Sequence, residues 1–122
     1  MKKLFFFVIL LVFALSGCGS EFISFSGESK NWKGEYSANI DGNSENGNYL
    51  FSYKHAKKNT EFKNLQIIIN DSGKTVLNEE THKGATIKIP TGCSGCDVTK
   101  KGEPIKVTIK WNQKNEETFY LK

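Results

Sequence analysis

The chain has 122 residues, with 17 basic and 13 acidic side chains and three cysteines. That length fits one domain and argues against a two-lobed enzyme or a repeat solenoid. Every basic residue is a lysine. The lack of arginine forks weighs against specific nucleic-acid recognition, so no nucleic-acid partner is expected.

In chain order, Met1-Lys2-Lys3 is a short positive stretch, followed by an unbroken apolar run from Leu4 to Leu15. A run of about a dozen residues is too short to span a bilayer, which takes roughly 20. It has the length and flanks of a signal-peptide hydrophobic region. Ser16 and Gly17 then lead to Cys18. The tetrad Leu15-Ser16-Gly17-Cys18 resembles the lipobox of bacterial lipoproteins: Leu, a small residue, Gly or Ala, then Cys.

The resemblance implies that residues 1–17 are removed and that Cys18 carries a diacylglyceryl thioether as the new N-terminus. Lipid chains hold a protein at a bilayer with about 0.8 kcal/mol per buried methylene. Loss of Lys2 and Lys3 leaves 15 lysines against 13 acids, a net +2 in place of the formal +4. That balance makes a mixed, solvated surface. Residue 19 is Gly, so the aspartate that retains Gram-negative lipoproteins at the inner membrane is missing. With the Lys and Asn bias, a Gram-positive cell and the outer face of its membrane are expected.

Residues 18–30 read as the lipidated cysteine and a short Ser- and Gly-containing tether. Phe22, Ile23 and Phe25 fit a tether less well; they would suit a bilayer contact or a first edge strand.

From residue 31 to 122 a two-residue period dominates. Trp32, Gly34, Tyr36, Ala38 and Ile40 alternate with polar residues, and Asp41–Gly47 reads as a polar turn. Tyr49, Phe51 and Tyr53 form the next alternation. Leu65, Ile67 and Ile69 follow, and the triple isoleucine suggests a strand covered on both faces. Asn70–Gly73 reads as a turn, then Lys74–Glu79 as a weaker strand with Val76 and Leu77. Ala85, Ile87 and Ile89 form a strand that Pro90 is expected to stop. Ile105, Val107, Ile109 and Trp111 give the clearest alternation, and Thr118–Leu121 returns beside it after a tight loop at Asn112–Asn115. No stretch has a helical period. The expected fold is a single antiparallel β-sandwich, immunoglobulin-like, of about seven strands; a small barrel is the second choice.

Cys93 and Cys96 are the one constellation that invites chemistry. An even pair outside the membrane reads first as a local disulfide pinning the loop before the Ile105 strand. A redox dithiol would need a helix N-terminus after the first cysteine, and none is expected. Two thiolates could also hold Cu(I), but a closed tetrahedral site needs more ligands, and His55 and His82 would have to come near. Both lie in lysine-rich polar segments and are expected to be exposed. No resident metal or cofactor is expected.

No nucleophile motif is present, and the adjacent pairs Glu79-Glu80 and Glu116-Glu117 point to opposite faces of a strand. An enzyme is therefore not expected. Trp32 and Trp111 are expected in the core, Tyr120 to face out if Phe119 faces in, and Tyr49, Phe51 and Tyr53 to be able to pave an exposed face.

Trp32-Lys33-Gly34-Glu35-Tyr36 and Ile105–Trp111, taken with the lipobox, resemble small extracytoplasmic lipoproteins of Bacillus-like bacteria, a likeness that transfers no activity. The expectation is a membrane-anchored, non-enzymatic binding module with an envelope protein as partner. The alternatives are a thiol-redox or copper-handling lipoprotein using Cys93 and Cys96, and a small-ligand-binding lipoprotein.

Overall fold

The computed structural model describes residues 20–70 and 75–122. The signal segment, Cys18 and the turn at residues 71–73 lie outside them. The described residues form eight strands and no helix: β1 (Ser20–Glu28), β2 (Trp32–Asp41), β3 (Ser44–Tyr53), β4 (Glu61–Ile69), β5 (Thr75–Lys83), β6 (Thr86–Ser94), β7 (Ile105–Trp111) and β8 (Asn115–Leu121). They make two antiparallel four-stranded sheets, β1-β2-β3-β6 (sheet A) and β5-β4-β7-β8 (sheet B). The expected β-sandwich is thus present. Its likeness to immunoglobulin domains is one of architecture. There, consecutive strands cross between sheets early, whereas here β1, β2 and β3 follow one another within sheet A.

The eighth strand is the segment expected to be a tether. Ser20–Glu28 pairs along its whole length with β2, from Ser20↔Asp41 to Glu28↔Lys33. Ile23 and Phe25 point inward and are buried, and this apolar burial is what a flexible tether cannot supply. The globular domain therefore begins about ten residues earlier than the composition of 18–30 suggests.

Three other expectations are corrected. The turn of residues 41–47 contracts to Gly42-Asn43, with Gly42 at φ +60°, because Ser44, Asn46 and Asn48 face outward on a regular ladder. Pro90 does not stop its strand: β6 runs through it to Ser94. An edge strand needs only alternate N–H groups, so a proline can take a position whose missing donor faces away from β3. The isoleucine run of β4 is covered on one face, since Ile67 and Ile69 are buried and Ile68 is only half-buried. β4 also buries Phe62, out of phase with Leu65. The slip is absorbed at Asn64, which takes a left-handed φ of 49°.

The inward residues of both sheets form one core. At one end Trp32, fully buried, meets Tyr53, Phe62 and Trp111 at ring-centroid distances of 5.2, 5.1 and 5.5 Å. Tyr36, Tyr49 and Phe51 stack in sequence toward the other end. The expected exposed aromatic face is therefore not formed: Tyr49 and Phe51 are buried and Tyr53 is half-buried. Trp32 and Trp111 are core, as expected, and Tyr120 faces out beside a buried Phe119.

One flank of the sandwich is stitched shut. Ser26 N–H donates to the Lys122 carbonyl at 3.1 Å, and Lys122 N–H donates back to Ser26 at 2.9 Å. Gly27 permits this approach: a Cβ there would overlap the Tyr120 carbonyl oxygen. The Glu117 carboxylate extends the seam by accepting from the Ser29 hydroxyl (2.6 Å) and the Asn31 backbone N–H (3.0 Å). The opposite flank carries the outer strands β5 and β6.

The outer face of sheet A has two uncharged rows between charged ones, with Asp41 in the row at the β1 end. Across the sheet, register aligns Phe22, Asn39, Asn46 and Gly92 in one row, and Ser24, Ser37, Asn48 and Pro90 in the next. Neither row holds a charge. Beyond them, toward the Trp32 end, the outward rows carry Glu35 and Lys88, then Glu28 and Lys33.

Candidate functional site

Two features gather at the end of the sandwich where β1 begins: the cysteine pair and a buried carboxylate. Ser20 pairs with Asp41, Asp41 with Ser44, and Ser44 with Ser94, so the β2–β3 turn and the end of β6 are neighbours. Cys93 is the next-to-last residue of β6, and Cys96 lies just beyond the strand's end. Their sulfurs are at disulfide distance, with Cα atoms 6.0 Å apart. Gly95, at φ +70°, makes the bend between them. The Cys96 N–H donates to the Asn43 carbonyl at 3.1 Å, which pins the bend to the β2–β3 turn. A ring closed over so few residues removes little chain entropy. Its effect is local, fixing the start of the β6–β7 loop. Residues 97–104 contain no helix, so neither sulfur gains a helix dipole to favour its thiolate.

Glu45 is the one buried charged side chain among the described residues, 6 % exposed. It sits in the inward phase of β3, between Ile40 and Cys93 in register. Three donors satisfy it: the Tyr36 hydroxyl, the Thr99 backbone N–H at 2.6 Å and the Thr99 hydroxyl at 2.8 Å. Burial pushes its pKa up, but the hydrogen bonds from Tyr36 and Thr99 outweigh this and hold it below the ordinary 4.5. The same burial, then the bond to Glu45, pushes Tyr36 up to about 12, so it stays a donor. Glu45 thus ties the β6–β7 loop to sheet A, and Val98 beside Thr99 packs on the core.

Sequence reading missed this residue by placing it in a turn. The signal was there: extending the inward phase of Tyr49 and Phe51 backwards reaches Glu45.

The sign of the pH effect follows from the depressed pKa. The stabilisation is complete above the ordinary carboxylate range and is lost as pH falls through the lower, folded-state value. Glu45→Gln keeps an acceptor but sets an amide NH2 among three donors. It is expected to cost about 2 kcal/mol at neutral pH and to flatten the loss of stability on acidification. Urea midpoints measured from pH 7 to pH 3 check both; an unchanged acid slope would assign the pH dependence to other carboxylates, such as Glu117, whose hydrogen bonds to Ser29 and Asn31 likewise outweigh burial and lower it.

The histidines lie elsewhere. His82, expected in an exposed loop, is a half-buried residue of β5; its Nδ1 meets Glu79 at 2.8 Å and its Nε2 the Thr86 carbonyl at 3.1 Å. His55 packs its ring edge-on to Tyr53, 5.7 Å away, near the Trp32 end. Neither approaches the cysteines, and no group of three or more His, Cys, Asp or Glu is placed to hold a metal among the described residues. At the Trp32 end, Tyr53, His55, Lys57, Lys58 and Phe62 line an open groove of 610 Å³. Glu79 and Glu80, and Glu116 and Glu117, form no carboxylate dyads: Glu79 bonds His82 and Glu117 bonds Ser29 and Asn31.

Comparison with protein-family models, curated proteins and solved structures found no match for this chain. The functional reading therefore rests on the residues themselves.

Proposed function

We propose that this chain is a lipid-anchored, extracytoplasmic β-sandwich that acts by binding another envelope protein, without catalysis of its own. The observation that carries the reading is the sequence of parts: a charged start, an apolar run, the tetrad Leu15–Cys18, and a two-sheet sandwich whose strand β1 starts at Ser20. Cys18 is the lipid acceptor. The outer flank formed by β5 and β6 supports the binding role, because outer strands offer backbone groups to an added strand. Cys93 and Cys96 serve as a structural staple of the β6–β7 loop.

Expressed in a Gram-positive host, the full chain is expected to sediment with membranes and to incorporate labelled fatty acid. Cys18→Ala is expected to lose both properties while the domain still folds. A Cys18→Ala protein that stays with membranes would defeat the lipid-anchor reading. A photo-crosslinking side chain at Glu80 of β5 is expected to give a discrete protein adduct, whereas one at Lys33 on sheet A gives none; the reverse pattern would move the binding surface off the β5 flank.

A further inference from the structure

The place of Ser20 in the sandwich constrains how the domain can meet a bilayer. Only Gly19 separates Cys18 from β1, so the Cα atoms of Cys18 and Ser20 are at most about 7 Å apart. An anchor this short holds the edge of sheet A at the headgroups. Phe22 lies two residues further along β1, points outward and is 62 % exposed, against the general burial of the other phenylalanines in the strands. Across from it run the two uncharged rows of Asn, Ser, Gly and Pro, which lie between the Asp41 row at the tip and the charged rows toward the Trp32 end.

We propose that the two uncharged rows of the outer face of sheet A, with Phe22 at their margin, rest on the lipid bilayer, so that the domain lies on the membrane surface. The proposal builds on the reading of Cys18 as the lipid acceptor. Hydroxyl and amide side chains keep hydrogen-bond partners in the wet headgroup layer, whereas a charge pressed toward the acyl boundary is costly. Phe22 supplies apolar burial at that depth. Attraction between charges plays little part, since the adjoining tip carries exposed Glu21 and Asp41. The contact is therefore insensitive to salt. The docked face leaves sheet B and the Trp32-end groove toward solvent.

The test uses the chain from Cys18 onward, which retains the whole described core, since that begins at Ile23. A diacyl lipid is coupled to the Cys18 thiol while Cys93 and Cys96 remain paired. In phosphatidylcholine vesicles with brominated acyl chains, Phe22→Trp and Asn46→Trp, on the near rows, are each expected to lose most of their added emission and to shift to the blue. Ser52→Trp, on the far row of the same face, is expected to keep its emission, with the signal of Trp32 and Trp111 subtracted. High salt should change none of this. Quenching at position 22 alone would reduce the contact to the β1 edge and overturn the face-down placement; so would equal quenching at all three positions, or none. Mass spectrometry of Cys18 in protein from cells decides the acylation separately: an unmodified Cys18 defeats the lipoprotein reading and leaves the vesicle result to judge the surface on its own.

Discussion

Trp32→Ala should destabilise the domain by about 4 kcal/mol, in the range for emptying a large aromatic site. Trp32 is fully buried and touches three other aromatic rings, drawn from both sheets: Tyr53 of β3, Phe62 of β4 and Trp111 of β7. Its removal opens a cavity between the two sheets at this end of the core. A domain of this size is stable by only about 5–15 kcal/mol, so the variant should unfold at a much lower urea concentration. Trp111 then remains as the single tryptophan reporter. Trp32→Phe should cost far less. The buried Nε1 has no hydrogen-bond partner among the described residues, so its loss leaves no acceptor unpaired. Equal destabilisation by the two substitutions would show that the indole nitrogen matters in a way the packing does not explain.

Gly27→Ala is the second large effect, at about 3 kcal/mol, the upper range for forced overpacking. The added methyl would overlap backbone atoms of Tyr120, which cannot swing aside as a side chain can. The seam between β1 and β8 must part, and the amides of Ser26 and Lys122 should lose hydrogen-exchange protection before the rest of the sheet. Gly42→Ala makes the control. A Cβ at Gly42 meets nothing, and the cost is the strain of a left-handed φ alone, about 1 kcal/mol. If Gly27→Ala is no worse than Gly42→Ala, the seam contributes little to stability.

The period-two pattern made most of the sandwich legible. The alternation of Trp32 through Ile40 and of Ile105 through Trp111 is the inward face of β2 and β7. What the pattern concealed has physical reasons. β1 carries its apolar residues in a stretch rich in Ser and Gly, and only its pairing with β2 makes that stretch a strand. Phe62 and Leu65 are out of phase, and no local signal marks Asn64 as the place where the chain resets. Glu45 was hidden because a carboxylate at an inward position is costly unless donors surround it. Those donors, Tyr36 and Thr99, stand 9 and 54 residues away. The cysteine pair was readable from its close spacing, whereas its attachment to the β2–β3 turn through Asn43 was not.

The bonds between Ser26 and Lys122 also bear on the order in which the protein can be finished. β1 finds one neighbour at once in β2, but the partner of its other edge at Ser26 is Lys122, 96 positions later. Until that residue arrives, the outer edge of β1 waits open. Deleting the residues around Lys122 would therefore leave β1 unsealed, and a quality-control protease would find the fault some hundred residues from the deletion.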